Sequence, residues 1–210
     1  MEKMLVKVCG MRDSENIRQV AELGIDWIGM IFWPKSPRNV VVPPSSASFS
    51  QGIARVGVFV DETAQNIITR VADCHLSLVQ LHGHESPAFI RDLRQLLAPG
   101  IRFIKAISVS TREDIAVYKA YEDCVDYFLF DTKCQTVGGS GQQFDWSVLK
   151  AYDGNKPFLL SGGIGPEDAE RIKNFQHPQC IGIDLNSRFE TAPAQKDVAV
   201  LRKFLSQIPH

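Results

Sequence analysis

The sequence predicts an α/β fold, a (β/α)8 barrel of the TIM type, built as a single domain over residues 1–210. Eight short apolar runs recur along the chain, and most are apolar on both faces, which is typical of parallel strands covered by helices. Helical segments separate most of these runs, so a βα unit repeats. No linker or change in composition marks a second domain. An open doubly wound sheet is the alternative architecture, and the count of eight favours the closed barrel.

The predicted strands are runs rich in Val, Ile, Leu and Phe, residue types that favour extended structure. In chain order the eight strands cover residues 5–10, 27–32, 55–60, 76–83, 103–108, 127–132, 158–163 and 180–185.

The predicted helices combine apolar residues at helical spacing with a polar residue that can cap the first turn. They cover residues 13–23, 63–73, 85–97, 110–121, 166–175 and 196–207. Asp13 or Ser14 caps the first helix, and Pro166 opens the fifth. The apolar side of the fourth helix consists of Ile115, Val117 and Tyr118. Residues 43–52, PPSSASFSQG, predict only a short helix after the second strand.

Composition excludes several classes of protein. The net charge is −1 and no block of basic residues occurs, so we expect no nucleic-acid partner. The sequence has neither an apolar leader segment nor an apolar run of membrane-spanning length, so we expect no secretion and no membrane partner. The five cysteines are widely spaced and odd in number, which fits reduced thiols. We therefore expect a cytoplasmic protein, and we expect it to be a monomer.

Polar residues stand where the predicted strands end, and active sites of this fold lie at the carboxyl ends of the strands. Cys9 ends the first strand within KVCGMR, and Asp131 ends the sixth within FLFDT. The other strand-end candidates are Arg38 in the loop after strand two, Gln80 and His82 at strand four, and Asp184 at strand eight. A lone buried cysteine is more often a packing residue than a catalytic one, and an aspartate at a strand end often caps a helix. The positions and neighbours of Cys9 and Asp131 therefore decide whether their roles are structural or catalytic.

The loops after strands seven and eight predict a phosphate site. Gly162 and Gly163 end strand seven, and Asn186, Ser187 and Arg188 follow strand eight. In many barrels these two loops bind phosphate through backbone N–H groups, and glycine lets the backbone approach the anion. The alternative is that the glycine pair only shapes a turn.

Two further features have weaker support. Gly138, Gly139, Ser140 and Gly141 form a glycine-rich loop that is either a lid over the site or a connection without function. His82 and His84 have the spacing of a metal-binding pair, but no convergent third ligand is apparent, so we expect no metal.

Several of these stretches together resemble the phosphoribosylanthranilate isomerases. KVCGMR, FWPKSPR, VQLHG and LLSGG occur in the family's order, and D-T-x(5)-GGSG-x-x-F-D-W follows strand six. The resemblance runs from the first strand to the last helix. It implies an Amadori rearrangement of a small phosphorylated substrate, N-(5-phosphoribosyl)anthranilate, in tryptophan biosynthesis, without a cofactor.

The resemblance also implies roles for individual residues. Cys9 is the general base, Asp131 is the general acid, and Arg38 binds the anthranilate carboxylate. Gln80 and His82 line the pocket, while Asp184 either contacts substrate or forms a buried ion pair with Lys7. A base role requires that the pKa of the Cys9 thiol fall below its usual value of about 8.5. An acid role requires that the apolar run before Asp131 favour the neutral carboxyl.

One departure and three alternatives remain open at this stage. The family usually ends strand eight with a Ser-Ser-Gly-Val-Glu type stretch, whereas this chain has Asn186 to Glu190 with arginine in place of glycine. Arg188 therefore either pairs with the phosphate itself or points to solvent.

Three alternative functions remain open, namely a sugar-phosphate epimerase, an indole-glycerol-phosphate synthase, and a phosphate-binding barrel without catalysis.

Overall fold

Eight parallel strands form a closed barrel in the computed structural model, which describes residues 3–132 and 143–210. The strands are β1 (Leu5–Val8), β2 (Trp27–Ile31), β3 (Ala54–Phe59), β4 (Leu78–Leu81), β5 (Arg102–Val109), β6 (Tyr127–Thr132), β7 (Phe158–Leu160) and β8 (Cys180–Leu185). β8 pairs with β1 and closes the barrel. The prediction of a barrel rather than an open sheet is therefore confirmed.

Six α-helices accompany the strands within the described residues. They are α1 (Ser14–Ala21), α2 (Ala64–Cys74), α3 (Pro87–Leu96), α4 (Arg112–Ile115), α5 (Ala169–Asn174) and α6 (Val198–Leu205). Asp13 caps α1 by accepting a hydrogen bond from the backbone N–H of Asn16 at 2.8 Å. None of these helices is long and apolar enough to cross a membrane.

The fourth and fifth predicted helices are partly 3-10 helix in the structure. The fourth consists of α4 and a 3-10 helix over Ala116–Ala120, and the fifth begins as a 3-10 turn over Pro166–Asp168. Val117, predicted on the apolar side, is 50% exposed, because only Ile115 and Tyr118, three residues apart, face the core. The short helix expected after the second strand is the 3-10 turn Ser46–Ser48.

The sequence did not predict three elements, one of which is the 3-10 turn Ser187–Phe189 after β8. A 3-10 helix covers Trp146–Ala151 between β6 and β7. An antiparallel hairpin of β9 (Glu190–Ala192) and β10 (Gln195–Lys196) follows β8. This hairpin occupies the start of the predicted last helix, and α6 begins only at Val198.

The alternation of side chains along each strand divides the core into two layers. On β1, Val6 and Val8 face the helices, while Lys7 and Cys9 face the barrel interior. The interior layer is made of inward-facing apolar side chains of the strands β2 to β7, namely Trp27, Val56, Val58, Leu78, Ile104, Ala106, Leu129 and Leu159, with Cys9 at its edge. Polar inward residues therefore gather above this layer.

Candidate active site

Lys7 on β1 and Cys9, the residue directly after β1, occupy successive inward positions. Both are buried, and the backbone N–H of Cys9 donates to the carbonyl of Leu185 on β8 at 2.8 Å. Gly29 on β2 leaves the space that the two side chains need, because a Cβ at Gly29 would lie 2.7 Å from Cys9 Sγ and 3.1 Å from Lys7 Nζ. The neighbouring strand is thus shaped around the thiol.

Lys7 forms a buried ion pair across the seam of the barrel. Lys7 and Asp184 are partners in the register of β1 and β8, so both side chains point inward, and Lys7 Nζ lies 2.8 Å from Asp184 Oδ1. Burial disfavours the ammonium, yet the pKa of Lys7 is raised above its usual value because Asp184 and Cys9 favour the charged form. Of the two roles considered for Asp184, the buried pair is present.

The pKa of the Cys9 thiol is not lowered, as a base role would require, but raised. Burial raises the pKa of Cys9 above its ordinary value, and the nearby charge and hydrogen bond of Lys7 oppose that rise only in part. The Asp184 carboxylate also raises it. Without ligand the protonated thiol is therefore the favoured form, and Lys7 is the group that stabilises the thiolate.

Gly10 explains why the chain turns directly after the thiol. Its φ is +76°, a conformation that glycine adopts without steric cost. A Cβ there would lie 2.7 Å from both Arg38 Cδ and Asn186 Oδ1. Glycine therefore lets two cavity residues approach the end of β1.

Asp131 is the inward residue near the end of β6, and its carboxylate accepts from two sides. His82 Nε2 lies 3.2 Å from Asp131 Oδ2, and the backbone N–H of Thr132 donates to Oδ1 at 2.9 Å. Gln80 Nε2 lies 3.0 Å from His82 Nδ1. With the Gln80 amide N–H directed at Nδ1, the matching tautomer of His82 has its proton on Nε2, facing Asp131.

Ser161 connects the acid side of the cavity to the thiol side. Its Oγ lies 3.5 Å from Asp131 Oδ1 and 3.3 Å from Asp184 Oδ2. Since Asp184 binds Lys7, which contacts the thiol, polar groups run without interruption from Asp131 to Cys9. Ser161 directly precedes the glycine pair in the sequence, but its bridging position follows only from the barrel.

Arg38 is held by a carboxylate that sequence reasoning missed. Its Nε lies 2.9 Å from Glu190 Oε1, and its Nη2 lies 2.6 Å from Glu190 Oε2. Lys196 Nζ reaches Glu190 Oε1 at 2.5 Å and Asn186 Oδ1 at 2.8 Å. The β9–β10 hairpin carries both Glu190 and Lys196.

Most of the predicted site residues line one cavity at the carboxyl end of the barrel. The catalytic, substrate-binding and phosphate-binding candidates found there are Cys9, Arg38, Gln80, His82, Asp131, Gly162, Gly163, Asp184, Asn186 and Ser187. Arg188 does not line the cavity, and its guanidinium pairs instead with Glu167 near the surface. The lid residues Gly138, Gly139, Ser140 and Gly141 lie outside the described residues.

The glycine pair after β7 has a backbone that other residues adopt only under strain. The φ angles of Gly162 and Gly163 are +93° and +67°, and a Cβ on Gly162 would lie 2.2 Å from Thr132 Oγ1. This turn brings the end of β7 beside the loop of Asn186 and Ser187. The backbone of Gly162 and Gly163 and that of the Asn186–Ser187 loop can together accommodate an anion between them.

A second buried lysine supports the loop that carries His82. Lys105 Nζ donates to the carbonyls of Leu81 and Gly83 at 3.3 and 2.6 Å and pairs with Glu85 at 3.0 Å. These two carbonyls flank His82 along the chain. A lysine inside a predicted strand is a sequence signal for such a buried pair, but its partner was not identifiable locally.

The two histidines with metal-binding spacing are separated in space. His82 lines the cavity, whereas His84 is 93% exposed and pairs with Asp61. Within residues 3–132 and 143–210, no group of three or more His, Cys, Asp or Glu side chains is arranged to hold a metal ion.

Known proteins resemble this chain over nearly its whole length. Residues 6–207 match the family model described as N-(5'phosphoribosyl)anthranilate (PRA) isomerase. A protein of Parabacteroides distasonis named N-(5'-phosphoribosyl)anthranilate isomerase is 49% identical, over 99% of this chain and 94% of the relative. The phosphoribosyl anthranilate isomerase of Thermotoga maritima has a TM-score of 0.82 at 31% identity, over 97% of this chain and 98% of the other.

A further solved structure contains a ligand. It is a phosphoribosyl anthranilate isomerase in complex with reduced 1-(o-carboxyphenylamino)-1-deoxyribulose 5-phosphate, with a TM-score of 0.80, 29% identity and 97% of each chain covered.

Proposed function

Since the chain belongs to the N-(5'-phosphoribosyl)anthranilate isomerase family and is thus an isomerase of tryptophan biosynthesis, we propose that Cys9 and Asp131 perform its proton transfers. The observation that carries this proposal is that both side chains point inward from nearly opposite strands into one cavity. An acid and a base on different sides of a bound sugar can act on different atoms of it.

Asp131 is the proposed proton donor to the furanose ring oxygen. Protonation of that oxygen breaks its bond to C1, and the nitrogen lone pair forms the C1–N double bond of a Schiff base. His82 and Thr132 fix the direction of the carboxyl group. Such fixed geometry is the larger part of what a positioned acid contributes.

Cys9 is the proposed base that removes the proton from C2 of the sugar. The electrons of that C–H bond form the C1–C2 double bond, and the C1–N electrons return to the nitrogen. The resulting enol gains a proton at C1 and loses the proton of its C2 hydroxyl group, which gives the ketone of 1-(2-carboxyphenylamino)-1-deoxyribulose 5-phosphate. Because burial raises the pKa of Cys9, the Lys7 ammonium beside it is the feature that makes the thiolate attainable.

The two ends of the substrate have separate proposed sites. Arg38 binds the anthranilate carboxylate, because a guanidinium matches a planar carboxylate through paired hydrogen bonds. Gly162, Gly163, Asn186 and Ser187 bind the phosphate through backbone and amide donors. The ligand in the related structure carries both a carboxylate and a phosphate, which supports a cavity with two anion sites.

Arg188 has no phosphate contact in this proposal, because its guanidinium is engaged by Glu167 away from the cavity. Gln80 acts through His82, with which it shares a hydrogen bond, and Asp184 acts through Lys7. The reaction needs only proton transfers, so the proposal includes no metal and no organic cofactor.

Turnover of phosphoribosyl anthranilate by the purified protein tests the proposal, followed as the loss of anthranilate-type fluorescence. Wild type, Cys9→Ala, Asp131→Ala and Cys74→Ala should be compared. Cys74 is a matched control, since it is a buried thiol on α2 outside the barrel interior. We expect turnover by wild type and Cys74→Ala alone. Near wild-type rates in either cavity variant would refute the assigned pair.

A further inference from the structure

Glu190 binds one edge of the Arg38 guanidinium and leaves another edge open. Arg38 Nε approaches both oxygens of Glu190, at 2.9 and 3.1 Å, and Nη2 approaches Oε2 at 2.6 Å. Within the described part of the chain, no protein group accepts a hydrogen bond from Nη1. Arg38 lines the cavity, so Nη1 is the part of its guanidinium group that is available to a ligand.

Glu190 is itself fixed by groups of its own hairpin. Lys196 Nζ donates to Glu190 Oε1 at 2.5 Å, and the backbone N–H of Ala194 donates to the same oxygen at 3.2 Å. The Lys196 side chain is fully buried, and the Glu190 side chain is 5% exposed. A buried carboxylate with this many donors has little freedom to rotate.

The charges of the three residues suit an anionic ligand. Arg38 and Lys196 each carry a positive charge and Glu190 a negative one, so the cluster has a net charge of +1 when all three are ionised. Burial disfavours the Glu190 carboxylate, but Arg38 and Lys196 outweigh burial and lower its pKa. Glu190 therefore orients Arg38 without cancelling the attraction of the cluster for a carboxylate.

We propose that Glu190 is a positioning residue that makes this isomerase selective for the carboxylate on the substrate's aromatic ring. It holds Arg38 by the Nε–Nη2 edge and directs Nη1 into the cavity, where the ring carboxylate binds. The inference rests on the proposed role of Arg38 and extends it to a residue 152 positions away in the chain. Lys196 is the counter-charge that keeps Glu190 ionised.

Two stable ligands that differ only in the carboxylate provide the test. One is reduced 1-(o-carboxyphenylamino)-1-deoxyribulose 5-phosphate, and the other is its phenylamino counterpart without the carboxyl group. Calorimetric titration gives Kd for each ligand. The Kd ratio is the Kd of the ligand without the carboxyl group divided by the Kd of the ligand with it, so a larger ratio means stronger recognition of the carboxylate. Both ligands carry the same phosphate, so any change in the phosphate loop through Asn186 cancels in the ratio.

The informative variant is the double substitution Glu190→Gln with Lys196→Met. It removes one negative and one positive charge together, so the cluster keeps its net charge of +1 while Arg38 loses its bidentate partner. We expect the Kd ratio to fall by about 10- to 150-fold relative to wild type, the range of a lost charge-assisted hydrogen bond. Glu190→Gln alone should lower the ratio too, and the exposed control Glu22→Gln should leave it unchanged.

Arg38→Gln separates failure of this inference from failure of the proposed function. If Arg38→Gln lowers the ratio and the double variant keeps the wild-type ratio, Glu190 is a structural partner only and the inference is wrong. If Arg38→Gln also keeps the wild-type ratio, Arg38 does not bind the carboxylate and both statements are wrong. A ratio that rises in Glu190→Gln would show that charge, rather than orientation, governs selectivity, and would overturn the inference as well.

Discussion

Lys7 and Asp184 are register partners on β1 and β8, and their side chains form an ion pair of 2.8 Å inside the seam that closes the barrel. The same lysine contacts the Cys9 thiol one inward position further along β1. One buried cation thus contributes to closing the barrel and also stabilises the thiolate form of Cys9.

Replacement of Lys7 by methionine should shift the limb of the pH–rate profile that reports the titration of Cys9. The proposed base must be a thiolate, and burial already raises the pKa of Cys9, so the fraction of Cys9 present as thiolate increases with pH. Without the Lys7 charge that pKa rises further, and the limb should move upward by about one to three pH units. Measuring kcat against pH for wild type and Lys7→Met checks this, and an unmoved limb would exclude Lys7 from the chemistry.

Cys9→Ala should abolish most of the activity and leave the fold intact. General base catalysis contributes typically ~10²–10⁴-fold, so kcat should fall by about that factor. Circular dichroism and thermal unfolding check the fold, and Cys74→Ala is the control for loss of a buried thiol. A Cys9→Ala enzyme with near wild-type kcat would make Cys9 a packing residue.

The strands were predicted well from the sequence because they depend on a local pattern, a run of apolar residues that stops at the strand end. Eight apolar runs became eight strands, and alternation along β1 and β6 brought Cys9 and Asp131 into one cavity. Strand ends are visible in sequence because an apolar run stops there. This is why most of the site residues could be chosen before the fold was known.

The parts that sequence missed depend on pairing between distant residues. Arg38 and Glu190 are 152 residues apart, and Glu190 lies in a short hairpin whose few residues carry no periodic signal. The direction in which the pKa of Cys9 is shifted was also not predictable, because burial by the barrel outweighs the effect of Lys7. Neither the hairpin contact nor the degree of burial follows from residue types along one strand.

Lys105→Met should destabilise the protein strongly. The side chains of Lys105 and Glu85 are 4% and 2% exposed, and loss of one partner leaves a buried charge unpaired, at a cost of about 3–5 kcal/mol in the free energy of unfolding. Urea denaturation monitored by fluorescence measures this loss.

The double variant Lys105→Met with Glu85→Gln should recover part of that loss. Glutamine keeps an acceptor oxygen for the backbone N–H groups of Asp61 and Gly83 but carries no charge. Arg18→Met, which breaks an exposed pair with Glu15, should change stability little. Equal effects of Arg18→Met and Lys105→Met would contradict the role of the buried pair.

Inorganic phosphate should compete with substrate at the loops after β7 and β8. Gly163→Ala should raise KM and weaken this competition, because φ of +67° is strained for alanine and the turn would change shape. Arg188→Ala should leave KM and the phosphate inhibition constant close to wild type, since Arg188 pairs with Glu167 outside the cavity. Initial rates at several phosphate concentrations give both constants, and a large effect of Arg188→Ala would make that arginine a phosphate ligand.

Asp131→Asn should lower kcat strongly while substrate affinity stays within a few fold. Asparagine has nearly the size of aspartate but cannot give up a proton to the ring oxygen. A carboxamide also cannot accept from both His82 and Thr132, because one of its two ends is a donor. We expect kcat to fall by about 10²–10⁴-fold, the usual contribution of a general acid.

The pH–rate profile of Asp131→Asn distinguishes catalysis from a structural role. In wild type one limb reports loss of activity as the acid deprotonates with rising pH, and the variant should lack this limb. The other limb, which reports the base, should persist in Asp131→Asn and change in Cys9→Ser. Asp92→Asn, an exposed aspartate on α3, is the matched control and should keep both limbs. If Asp131 only organises the end of β6, Asp131→Asn will reduce stability, lose little rate and retain both limbs, and the acid assignment will then be wrong.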